Sequence, residues 1–258
     1  MRKTSSQLTG EFEWKVPSVV PAFVQGKDAK RTYNLVNKIS ANSVWYDAER
    51  KLMKGSNVPT VARIDTLVRP LGIRVATLRD LSRPEVMEMV RGDHYSDTSV
   101  LVFRSNRDTY EPNQPIIERV VQEVEKREGN VKFPFMVTGF DVSKAHSQYG
   151  WTIAPRDDFA IVHDDRLDGK HNEKAFNEVD ELGLPNFDKN GSRKWFARNQ
   201  GVSRLCLDRG LNLLSYDGNL AYSDGDGRVV LIGGEAAGAD LRASYNRQIK
   251  PPALAGGR

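Results

Sequence analysis

The sequence predicts an α/β protein: a β-α-β-α-β parallel unit over residues 72–141, a basic helical part before it, and a β-rich antiparallel part after it. Three observations carry this. Short apolar runs at 73–78, 99–104 and 131–138 alternate with segments of helical periodicity. Lysine and arginine crowd residues 1–60, ten against five Asp and Glu. Beyond Gly150, turn residues recur at short spacing between apolar pairs.

Residues 1–26 hold Phe12, Trp14, Val19, Val20 and Phe23 between glycines and prolines. That is too aromatic for a disordered tail and predicts an extended arm across the body or onto a protein partner. Residues 28–54 read as helix in two pieces with a break near 40–43. Leu35, Val36 and Ile39 stripe the first piece, and Val44, Trp45, Ala48 and Leu52 the second. Pro59 opens a further helix with Val61, Ile64, Leu67 and Val68 inward, closed by Pro70 and Gly72.

The parallel unit starts at 73–78 (IRVATL). Ser82 and Glu85 form a capping box for a short helix that stops at Gly92. The run at 99–104 is a buried strand. Asn113 and Pro115 open a helix whose Ile116, Ile117, Val120, Val121 and Val124 lie along one face, and Gly129 ends it. The run at 131–138 is the next strand, and strand-helix-strand in this order reads as a parallel crossover. Further on, 151–162 reads as a hairpin turning at 155–158. Residues 163–201 are turn-rich, and 202–232 read as a meander with turns at 208–210, 217–218 and 224–227. A short helix at 236–246 precedes a loose tail. The expected divisions are 1–57, 58–145, 146–235 and 236–258, the second and third able to share one core.

Net charge is +4, and the charged and hydrophobic fractions, 28% and 39%, are those of an ordinary globular chain. Cys206 is the lone cysteine, which excludes an internal disulfide and a thiolate zinc cage and suits a reducing compartment. No stretch of about 18 apolar residues occurs, so no membrane partner and a cytoplasmic location are expected.

Three constellations could carry function. Basic ends attract phosphate backbones. Lys27, Lys30, Arg31 and Lys38, with Trp45 as a stacking platform, are the candidate nucleic-acid residues. If the sheet is parallel, its carboxyl edge gathers Asn106, Arg107 and Asp108 with Asp141, Ser143 and Lys144 as a ligand site. The third is His163, Asp164, Asp165 and His171, a candidate catalytic set. Within it His163, Asp165 and His171 could ligate a divalent metal ion. Glycine-rich nucleotide fingerprints are absent. The leading expectation is a binding protein for a phosphate-bearing partner, nucleic acid first. The alternatives are a metal-dependent hydrolase or phosphoesterase, and an assembly protein docking through its arm.

Overall fold

The structure, a computed structural model, describes residues 22–37 and 44–233. Lys38, the break expected at 40–43, most of the expected arm, the helix expected at 236–246 and the tail lie outside them. Helices are mixed with a large, mostly antiparallel sheet.

Strand β1 (Ala22–Phe23) leads into helix α1 (Ala29–Val36), whose Ala29, Thr32 and Val36 face inward at helical spacing. The second piece expected to be helical is instead a hairpin, β2 (Trp45–Asp47) and β3 (Leu52–Lys54). Its apolar positions fit either period, and two features decide for strand. Val24 and Gly26 supply backbone bonds, Met53 N to Val24 O at 3.0 Å and Gly26 N to Lys51 O at 2.8 Å. Tyr46 also packs on Tyr33 of α1 with ring centroids 6.3 Å apart. Tertiary partners override local helical pattern here.

Helix α2 (Val58–Val68) forms as its signals predict. The Asn57 side chain accepts from Thr60 N at 3.0 Å, Pro59 sits in the first turn, and Gly72 at φ 70° ends the turn that follows. Strand β4 (Ile73–Val75) is followed by α3 (Pro84–Val90), which buries Val86 and Val90. Ser82 makes no capping bond to it. Strand β5 (Ser96–Phe103), helix α4 (Gln114–Glu128) and strand β6 (Phe135–Lys144) complete the segment, with Gly129 ending α4 in the left-handed conformation at φ 79°.

These elements do not make a parallel unit. Strand β4 pairs antiparallel with β13 (Val230–Gly233) in a separate three-stranded sheet, β1-β13-β4. Strands β5 and β6 are antiparallel neighbours, with Phe103, the last residue of β5, opposite Phe135, the first of β6. Residues 104–134 therefore leave and re-enter the sheet at the same end. The connection is pinned there by Asp108, which accepts from Tyr110 N, Asn113 Nδ2, Val202 N and Arg198 at 2.8–3.2 Å. Apolar patterning is blind to strand direction, and the polar anchor that accompanies this one joins residues far apart in sequence.

The main sheet runs β7-β6-β5-β11-β12-β10-β8-β9. Strand β7 (Trp151–His163) is one long strand, not a hairpin. It pairs with β6 on both sides of 156–159, which bulge out opposite Gly139. Arg156 in that bulge reaches back to Asp65 of α2 at 3.0 Å. The turn-rich stretch 163–201 contains three strands: β8 (Ala175–Val179), β9 (Pro185–Phe187) and β10 (Arg193–Ala197). Strands β11 (Val202–Leu207) and β12 (Leu213–Ser215) form the first hairpin of the expected meander. The chain then runs irregularly through 216–229, with the expected turn at 224–227 closed by Gly227 N to Asp224 O, before β13 departs to the small sheet. The β5–β11 ladder carries one sheet across residues 145–146.

Helices α2 and α4 and strands β5, β6 and β7 enclose one core, which contains Ile116, Ile117, Val120, Val124, Phe103 and Phe135. Val120 is 1% exposed. Val120→Asp is therefore expected to lower stability by several kcal/mol, the order for a carboxylate forced into an apolar interior. Urea denaturation reads this, and an unchanged midpoint would mean the α4 face is not in the core.

Candidate functional site

The basic N-terminal surface is built by α1 and the β2–β3 hairpin. Alternation along β2 turns Tyr46 towards α1 and Trp45 to the opposite side of the ribbon, where it is 42% exposed. Its cross-strand partner is Lys54, which also pairs with Asp47 at 2.8 Å. Arg50 and Lys51 lie exposed at the hairpin turn, and Lys27 and Lys30 are exposed on and before α1. Arg31 is half-buried. Residues 22–37 and 44–57 together carry six lysines and arginines against three acids.

The ligand site expected at a carboxyl edge loses its basis, because antiparallel strands point their carboxyl ends in opposite directions. Asp108 has a fully buried side chain and is saturated by the partners named above, which hold its carboxyl below the usual range against the effect of burial. Asp141 pairs with Arg63 at 2.9 Å. Asn106, Arg107, Ser143 and Lys144 are exposed, and the two aspartates share no partner.

The histidine–aspartate loop is also divided. His163 Nε2 pairs with Glu128 of α4 at 2.8 Å. His171 Nε2 meets Asp165 at 3.1 Å and stacks on Phe187, while Asp165 also holds Lys170 at 2.5 Å. Asp164 is taken by Arg166 at 2.6 Å and caps the turn after it. Asp165 and His171 come together, and His163 and Asp164 go elsewhere. Among the described residues, no three His, Cys, Asp or Glu side chains gather as a metal cage.

No protein-family model, curated protein or solved structure matches the chain.

The sequence reading missed a layer of buried charge through the sheet. Arg204 on β11 is 6% exposed and bonds both oxygens of Asp97 at 3.1 Å. It also reaches Asp217 at 3.0 Å and lies over the rings of Tyr95 and Tyr222. Burial lifts the Asp97 carboxyl above the ordinary carboxylate range, against the pull of Arg204. Its two carboxylates keep Arg204 protonated. Cys206, opposite Asp97 in the ladder, is buried, and burial pushes its thiol up and keeps it unreactive. The cluster is a lock joining β5, β11 and the 216–224 loop, without an ionised nucleophile. The signal available in the sequence was an arginine inside a six-residue strand that is apolar apart from it and Ser203.

Proposed function

We infer that the protein binds a phosphate-bearing polyanion, single-stranded nucleic acid first, across the surface of α1 and the β2–β3 hairpin. The observation that carries this reading is Trp45, half in solvent opposite Lys54, on a hairpin whose turn exposes Arg50 and Lys51. An exposed indole offers a face for a base, and the surrounding cations offer partners for the backbone. The carboxylates and imidazoles of the 163–171 loop are, by contrast, engaged with partners inside the chain.

The two contributions separate by mutation. Trp45→Ala is expected to weaken binding to single-stranded oligonucleotides by about 1–3 kcal/mol per lost stack and to leave duplex binding nearly unchanged. Neutralising Lys30, Arg50 and Lys51 together should weaken binding to every sequence alike. Fluorescence anisotropy reads both. Equal loss of single-strand and duplex binding in Trp45→Ala would remove the stacking part.

A further inference from the structure

Among the described residues, three buried arginines have no carboxylate partner: Arg104, Arg193 and Arg228. Arg104 is satisfied by neutral acceptors. Its Nε meets Leu167 O at 2.6 Å, and its Nη atoms meet the Ser203 and Ser215 hydroxyls at 2.8 Å each. Arg228 gives one nitrogen to the carbonyls of Gly225 and Gly227 at 2.7 Å, leaves its Nε without a partner, and lies in the field of Asp226. Arg193 is different.

Arg193 is 7% exposed, on the inward face of β10. Its guanidinium lies 4.6 Å from the centre of the Phe176 ring. Nε donates to Leu211 O at 2.6 Å, but Nη1 has only a long contact to Ser82 Oγ at 3.4 Å, and Nη2 has no partner. Two residues along the same face, the fully buried Trp195 also leaves its indole Nε1 without a partner.

We propose that Arg193, Ser82 and Trp195 form a binding site for one phosphoryl oxyanion, inorganic phosphate or the terminal phosphate of a small ligand. Nη2 and Nε1 are both donors, and the Ser82 hydroxyl supplies a third proton, so the complementary ligand is an acceptor. A phosphoryl group brings acceptor oxygens and the negative charge that Arg193 lacks. Burial draws the Arg193 pKa down only to about 10, so the guanidinium is cationic at neutral pH. Asp208 acts on it through its field alone, its own carboxylate being held by Asn212 N at 2.7 Å and Asn212 Nδ2 at 3.2 Å. Ser82 is half-buried, and the exposed Arg79 and the half-buried Arg83, the latter paired with Glu85 at 2.6 Å, flank it along the chain. The site lies apart from the Trp45 surface and does not depend on the polyanion reading.

The test is thermal unfolding of the full chain in inorganic phosphate, with ionic strength held constant by sodium chloride. A saturable rise in midpoint with phosphate is expected. Ser82→Ala, at a half-buried position that leaves the fold intact, should weaken the fitted phosphate affinity about tenfold, the loss of one charge-assisted bond. Trp195→Phe removes the indole N–H and should weaken it as well, the smaller ring also lowering the midpoint without phosphate. Arg193→Gln should abolish the response. Neutralising Lys30, Arg50 and Lys51 should leave it unchanged. The proposal is overturned if chloride alone gives the same rise, if Ser82→Ala binds phosphate as the wild type does, or if the hairpin variant is the one that loses the response.

Discussion

Arg204→Met is expected to destabilise the protein by about 3–5 kcal/mol, the cost of leaving a buried charge without its partner. Asp97, 2% exposed, would lose both bonds to the guanidinium, and Asp217 would lose its link to the sheet. The variant should do better in acid than at neutrality. Its Asp97 pKa would lie further above the unfolded value of about 3.8 once Arg204 no longer lowers it. A raised folded pKa gives a contribution that is full below the unfolded pKa and lost as pH rises through the folded one. Urea denaturation at pH 4 and pH 7 reads the difference. The double variant Asp97→Ala, Arg204→Met should cost less than the sum of the single ones, because the two groups act as a unit. Strict additivity would mean the pair does not interact.

Gly139→Ala is the second large effect. Gly139 has φ +75°, and a Cβ there would run into the Asp158 carbonyl of the neighbouring strand. The left-handed conformation alone costs a non-glycine residue about 1–2 kcal/mol. Forcing apart a closely packed backbone adds about 1–3 kcal/mol. A loss of about 3 kcal/mol is expected, with hydrogen-exchange protection falling first at the bend between β6 and β7. A change under about 0.5 kcal/mol would mean that the two strands do not close on each other at this point.

Much of the local structure was legible. Asn57, Pro59 and Gly72 bracket α2, and Asn113, Pro115 and Gly129 bracket α4, because caps and breakers act over a few residues. Asn113 was read for the wrong reason, however. Its side chain does not cap α4 but bonds Asp108, Gly218 O and the Tyr149 hydroxyl. Strand direction was not legible. The run at 99–104 is equally apolar in a parallel or an antiparallel sheet, and the residues that decide, Asp108 and Arg198, lie 90 positions apart. The hairpin at 45–54 was misread because Trp45 and Leu52 satisfy both periods, and the bonds that settle it come from Val24 and Gly26. Strand β5 also begins three residues before the apolar run, at Ser96, because Ser96 pairs with Leu207 in the ladder and buried Asp97 and Thr98 have partners elsewhere in the fold.

The candidate sites fared according to the same rule. Lys27 and Lys30 are exposed, as bases outside an apolar stripe are expected to be, whereas Trp45, expected on the apolar stripe of a helix, is turned to solvent by the strand pairing of β2. Carboxylates in loops look alike whether they bind ligands or close turns. Asp164, Asp165 and Asp108 are distinguished only by Arg166, Lys170 and Arg198 in space. Arg193 and Arg204 went unnoticed because a charge within a strand usually marks a solvent face, and these two face inward.

A salt titration of binding to generic single-stranded oligonucleotides tests the polyanion reading most directly. Each neutralised phosphate releases condensed counterion, so log K should fall linearly with log salt at about −0.7 per phosphate contact. Neutralising Lys30, Arg50 and Lys51 should flatten that line by about two units, three contacts at that slope. Absence of binding at low salt, where the attraction is strongest, or an identical slope in the neutralised variant, would contradict the assignment of this surface to a phosphate-bearing partner.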